Sequence, residues 1–185
     1  ETGYLLRIGI DHFKEINDNF GQEYGDFVLR KTADCISGCI SEAQKVYKLV
    51  ADEFLILDVS SDEVKDADKL YDKVRNEIDR FIESNEFKVM YTVSGGIVPF
   101  AALKGDQYSE ALKLTDFALN EAKKLGRNRC YTFNSETYRK FLRKREITQE
   151  LREAVSNGFR GFTAFYQPVF AEDKKVPYGA EALMR

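Results

Sequence analysis

Apolar and polar residues follow two clear periods along this chain, and those periods predict most of its elements. Residues 4–10 form a short, mostly apolar run that reads as a strand, with Asp11 at its exit where a helix N-cap would stand. Residues 13–19 make a short helical turn closed by Gly21, and Phe27, Leu29, Ala33, Ile36 and Ile40 mark a longer amphipathic helix. Two alternating runs, 46–50 and 53–59, read as a β-hairpin. Ser61 and Asp62 open a further helix whose apolar stripe is Val64, Ala67, Leu70, Val74, Ile78, Phe81 and Ile82. Residues 87–98 alternate as a strand and contain Gly95-Gly96, which suits a bulge or a close backbone approach. A third helix is predicted over 106–125, ending at Gly126, and a last strand over 129–133. The order βααββαβαβ with an antiparallel hairpin predicts an α+β fold, a central mainly antiparallel sheet flanked by helices, and not a parallel doubly wound sheet.

Beyond residue 134 the style changes. Residues 135–157 are charged and helical, with a broken stripe of Tyr138, Phe141, Leu142, Ile147, Leu151, Ala154 and Val155, and read as a connector. Residues 162–170 and 176–183 resemble two strands around a charged turn at 172–175. Two strands cannot hold a core alone, so a second domain is expected to have only begun. A chain of 185 residues that is 43% hydrophobic can bury one full core and part of another.

A formal net charge of −3 provides no global cationic field, which argues against nucleic acid as a partner. Cys35, Cys39 and Cys130 lack CxxC spacing, and the lone His12 cannot complete a zinc set; Cys35 and Cys39 are expected as core residues on one helix face. Phe13, Phe27, Phe54 and Phe81 fall at periodic positions and are expected in the core, not under a nucleobase. The run Arg139, Lys140, Arg143, Lys144 and Arg145 reads as a solvated helix face. With no leader and no membrane-spanning run, the segment is expected in the cytoplasm without membrane contact of its own, any sensor or anchor lying elsewhere.

The hairpin turn carries the chemistry. In Val50-Ala51-Asp52-Glu53-Phe54, two carboxylates stand on a tight connection from which they can reach a metal ion beyond the sheet edge. A β-branched residue disfavours the positive φ that such a turn requires, and its side chain obstructs a ligand approaching the backbone. Elsewhere, Asn17 reads as closing a turn, Asp26 as capping the long helix, and Lys123 and Arg127 as meeting a helix C-terminus.

The segment 11–18 with Gly21, Gly25-Asp26 and Leu29, then Ala51-Asp52-Glu53-Phe54, then 116–123 leading into Gly126-Arg127-Asn128, together resemble the GGDEF family of diguanylate cyclases. The resemblance covers nearly all of residues 4–133 and implies a nucleotidyl cyclase, ferredoxin-like palm. It also implies a reaction in which two GTP molecules are joined through metal-assisted phosphoryl chemistry, with Mg²⁺ as the cofactor. On this likeness Asn17 and Asp26 match the guanine-reading pair, Lys123 and Arg127 the phosphate-contacting pair, and Asp52 one metal carboxylate. The other metal carboxylate falls on Gly9, which has none; Asp11, two residues on, is a weak substitute displaced by about 7 Å. The two signature glycines fall on Val50 and Ala51, and the Arg-x-x-Asp product-inhibition motif falls on Ser41 and Gln44.

Residues 165–169 and 179–185 resemble the opening of an EAL-type cyclic-di-GMP phosphodiesterase, with Gln167, Glu181 and Arg185 at substrate and metal positions. The resulting expectation is a degenerate GGDEF domain over 1–134 lacking its N-terminal helix, a linker helix over 135–160 and a truncated EAL start over 161–185. Cyclase activity is expected to be absent or very weak. The domain would bind GTP and modulate an attached phosphodiesterase; the alternatives are a weakly active cyclase using Asp11, or a nucleotide-free dimerisation or interaction domain, a homodimer being compatible with either.

Overall fold

The structure is a computed structural model that describes residues 2–61, 63–84, 89–105, 108–171 and 176–184. The expected helix starts at Asp62 and 106–107, the strand residues 87–88, the turn at 172–175 and the site residue Arg185 lie outside the described residues. The chain divides into two compact units, Glu1–Ser135 and Glu136–Arg185.

In the first unit, β1 (Tyr4–Ile10) leads into α1 (Phe13–Phe20) and α2 (Gln22–Cys39), followed by the hairpin β2 (Gln44–Lys48) and β3 (Glu53–Asp58). Then come α3 (Val64–Ser84), β4 (Val93–Pro99), α4 (Tyr108–Lys124) and β5 (Cys130–Thr132), with a short 3₁₀ turn at Phe100–Ala102 that the periodicity did not signal. The sheet order is β2-β3-β1-β4-β5, antiparallel throughout except for the β4–β5 pair. This is the α+β architecture the hydrophobic pattern predicts.

Strand alternation sorts β1 between two helical layers. Tyr4, Leu6, Ile8 and Ile10 join one buried cluster with Ile16, Val28 and Ile36 of the first two helices and Leu70, Val74 and Ile78 of α3. Leu5, Arg7 and Gly9 point to the opposite face, beneath α4. The two adjacent glycines of β4 each admit a different neighbour. A Cβ on Gly95 would come within 2.7 Å of the Tyr71 ring, and one on Gly96 within 2.3 Å of the Leu119 backbone nitrogen. The register with β1 runs unbroken from Tyr4↔Pro99 to Ile10↔Val93, so this pair serves close approach and not a bulge. β4 starts at Val93, later than its alternation suggests, because its partner β1 ends at Ile10 and leaves residues 89–92 no strand to pair with.

Cys35 and Cys39 are buried as expected, and all three cysteines are free thiols. Phe54 is buried, while Phe13 and Phe81 pack partly covered against the cluster.

The second unit comprises α5 (Ser135–Ser156, whose first residue closes the preceding unit) and an antiparallel pair, β6 (Ala164–Phe170) and β7 (Pro177–Met184). No α5 residue is buried, and every β6 residue is exposed. Among the described residues, no helix is long and apolar enough to cross a membrane.

Candidate functional site

The end of the sheet where β1 runs out gathers the hairpin tip, the start of α1 and the C-terminal end of α4. Pairing of Lys48 with Phe54 and a Leu49 N–H bond to the Glu53 carbonyl (2.9 Å) reduce the hairpin loop to Val50, Ala51 and Asp52. The left-handed demand falls on Ala51 (φ 54°), not on Val50, which projects into solvent at 84% exposure. An alanine held there costs about 1–2 kcal/mol that glycine would not incur. Lys48 holds the turn closed, its amine donating to the carbonyls of Ala51 and, at 3.1 Å, Leu49. Burial pulls the Lys48 amine below its ordinary pKa, against the upward pull of Asp52 and Glu53.

Both hairpin carboxylates already face cations. Arg7 donates through Nε to Glu53 Oε2 at 2.7 Å and through a terminal nitrogen to the same oxygen, with the two side chains only 13% and 18% exposed. The guanidinium is held from its other side by the Leu112 carbonyl at 3.2 Å and Asp116 at 3.4 Å, both on α4. Lys123 Nζ lies 4.0 Å from Asp52 Oδ2. It also lies 3.1 Å from where a Cβ on Gly9 would stand, so the ammonium fills space that a side chain at position 9 would claim. Arg7 escaped the sequence reading, although its signal was present: a lone charge inside an otherwise apolar strand.

Asp11 has a different role from the two read for it. The residue preceding α1 is His12, in a left-handed conformation (φ 56°), and it makes no side-chain cap bond to the helix; Asp11 is 2% exposed. Its Oδ1 accepts from the Ser94 hydroxyl at 2.7 Å, and its Oδ2 from the Thr92 hydroxyl at 2.7 Å and the Asn128 backbone N–H at 3.1 Å. Asp11 therefore latches β4 and the loop after α4 to the end of β1. That loop is conformationally demanding, with Gly126, Arg127 and Asn128 at φ 114°, 61° and 46°. Arg127 is exposed on it, adjacent to the latched amide.

Asn17 of α1 packs against α2 at Gly25, the residue before Asp26. Asn17 Oδ1 lies 1.8 Å from where a Cβ on Gly25 would be, so the glycine makes room for that amide beside Asp26. Asp26 is exposed and lies inside α2, whose N-cap is Gly21, so it does not cap that helix. At the other end of the hairpin, exposed Ser41 and half-buried Gln44 form a polar pair. The Ser41 N–H donates to Gln44 Oε1 at 2.8 Å, and Gln44 Nε2 donates to Asp58 Oδ2 at 2.6 Å. In the second unit, Gln167 and Glu181 are direct cross-strand partners.

These groups do not fit a divalent ion. Mg²⁺ needs oxygen ligands in near-octahedral array, but Gly9 offers none, Asp11 is bound by three donors, Glu53 is held by Arg7 and Asp52 faces Lys123. Among the described residues, no three His, Cys, Asp or Glu side chains converge as a metal site.

Comparison with known proteins places the chain in a family. Residues 1–129 match the family of diguanylate cyclase GGDEF domains. The chain is 27% identical, over 98% of its length, to the cyclic di-GMP phosphodiesterase NbdA of Pseudomonas aeruginosa, of which it covers 23%. It is 30% identical, over 68% of its length, to the diguanylate cyclase VdcA of Vibrio cholerae, covering 37% of that protein. Among solved structures, the active GGEEF domain of a Vibrio cholerae diguanylate cyclase superposes with a TM-score of 0.60 at 30% identity, over 72% of this chain and 83% of that one. The chain spans about a quarter of the length of the curated relatives it matches nearly end to end.

Proposed function

Since the chain belongs to the GGDEF-domain family of diguanylate cyclases, a family of cyclic-di-GMP signalling proteins, we propose that its N-terminal unit is a degenerate member that holds a guanine nucleotide without cyclising it. In this reading residues 1–134 regulate an EAL-type phosphodiesterase that begins at 161–185, with 135–160 as the linker helix. Asn17 and Asp26 read the guanine, and Lys123 and Arg127 meet the phosphates.

The observation that carries the reading is the Arg7–Glu53 pair beside Gly9. A cyclase must place charge-neutralising groups where charge develops on the reacting phosphate. Here one carboxylate is missing and another is locked in an internal ion pair, so a reactive alignment has no support. Asn17, Asp26 and the exposed Arg127 are untouched by those changes. A weak cyclase using Asp11 finds no favourable observation, because that carboxylate is buried in the latch. The extent of the likenesses supports the EAL assignment. Similarity to the phosphodiesterase NbdA runs through the second unit, over 98% of the chain, whereas that to the cyclase VdcA covers 68%. The cross-strand pairing of Gln167 with Glu181 would set both on one face of that opening ribbon.

Calorimetric titration with GTP tests the reading. Saturable heat that disappears in Asn17→Ala/Asp26→Ala is expected; no heat at nucleotide concentrations on the order of millimolar would remove nucleotide binding and favour a pure interaction domain.

A further inference from the structure

We propose that Arg7 and Lys123 are built-in counter-cations that take the place of a divalent ion at the hairpin tip, so that this site is closed to Mg²⁺ and takes an anionic ligand without a metal. The inference rests on reading this edge as the GGDEF site, but not on its binding nucleotide.

Each carboxylate that could recruit a metal already has its positive partner. Glu53 receives two N–H groups of one guanidinium, and that guanidinium is fixed by Asp116 and the Leu112 carbonyl, so it cannot swing aside without losing three partners. Arginine suits such a place because its planar fork stays charged when partly buried. Asp52 faces the Lys123 ammonium at 4.0 Å. The glycine at position 9 is part of the arrangement: with a hydrogen in place of a side chain, it leaves the volume, 3.1 Å from its absent Cβ, in which Nζ rests. Lys48 adds a third positive charge, tied to the turn's own carbonyls. A divalent cation entering here would have to expel these groups or accept their repulsion at close range. An aspartate at position 9 would lie against the Lys123 ammonium and the Leu119 side chain alike, so Gly9→Asp alone would create another ion pair and not a metal site.

The test is a titration of the full chain with Mn²⁺, read from the electron paramagnetic resonance signal of the free ion. Wild type should show no stoichiometric site below about 1 mM. Arg7→Leu/Lys123→Met, shown to be folded by its thermal transition, should gain one site at least about tenfold tighter, lost again when Asp52→Asn is added. If the double variant does not fold, Arg7→Gln/Lys123→Met, which removes both charges but keeps an amide donor at position 7 for the Leu112 carbonyl, should gain the site. A wild-type site abolished by Asp52→Asn, or a folded variant that gains none, overturns the proposal. Repeating GTP calorimetry in chelator separates the two readings. Equal affinity with and without Mg²⁺ supports metal-free binding, and an Mg²⁺ requirement overturns it. Heat in neither condition removes the nucleotide reading and leaves the Mn²⁺ titration to decide the metal question.

Discussion

Replacing Asp11 should reveal how much of the site's architecture hangs on one buried carboxylate. Asp11→Ala removes the acceptor for the Ser94 and Thr92 hydroxyls and the Asn128 amide. Ser94 is fully buried, so its hydroxyl has no water to turn to. Each stranded donor costs about 1–3 kcal/mol; release of a buried charge and rotation of the hydroxyls offset part of this, leaving a net loss of about 3–5 kcal/mol. Asp11→Asn behaves differently. Its amide oxygen can occupy the Oδ2 position, keeping Thr92 and Asn128, while its NH₂ donates to a reoriented Ser94 hydroxyl. Only charge assistance is lost, about 1–2 kcal/mol. Urea denaturation monitored by circular dichroism measures both, with an unchanged slope and lowered midpoints expected. An alanine variant within about 1 kcal/mol of wild type, or an asparagine variant as damaged as alanine, would refute the latch.

Three further outcomes follow from packing and titration. Gly96→Ala would place a methyl 2.3 Å from the Leu119 backbone nitrogen and should cost about 2–3 kcal/mol or more, whereas Gly38→Ala in α2 meets nothing within 4 Å and should stabilise by about 0.5–1 kcal/mol; thermal melts read both. Burial pushes the Cys35 thiol up to about 11 and raises those of Cys39 and Cys130, so the native protein should resist a disulfide reagent at pH 8 and release its thiols only on unfolding. Burial raises the Asp58 carboxyl, but the Ser60 hydroxyl, Gln44 and the Ser60 amide outweigh it and hold its pKa below the ordinary value. A depressed carboxyl contributes stability above its unfolded pKa, so that contribution should fall away as pH drops below about 4. Asp58→Asn should flatten this acid limb in pH-dependent melts, and an identical acid profile would contradict it.

The layers of this fold were legible because periodicity reports burial. β1 was bounded correctly by its apolar run, and α1 and α4 stop just before Gly21 and Gly126 as read, whereas α2 starts at Gln22, ahead of both its apolar stripe and the cap read at Asp26. Features set by pairing across the chain were not legible. The late start of β4 depends on where β1 ends. The left-handed residue of the hairpin is Ala51 because the Lys48–Phe54 register fixes the loop, and alternation alone cannot say which residue falls at its centre. At the site, Gly9, Val50 and Ala51 could be set against the family pattern from the sequence alone. The Arg7–Glu53 pair could not be read, since the two residues are 46 apart in sequence and become neighbours only through the β1–β3 ladder. Asp11 looked like a cap or a spare ligand for the same reason: its partners arrive from β4 and from the loop after α4.

The central claim is that this edge of the sheet can hold a nucleotide but cannot align two for bond formation. Incubating the chain with α-labelled GTP and excess Mg²⁺ or Mn²⁺, then resolving the products by chromatography, tests it most directly. Unchanged GTP is the predicted result, whereas labelled cyclic-di-GMP that vanishes in Asp52→Ala would contradict the account.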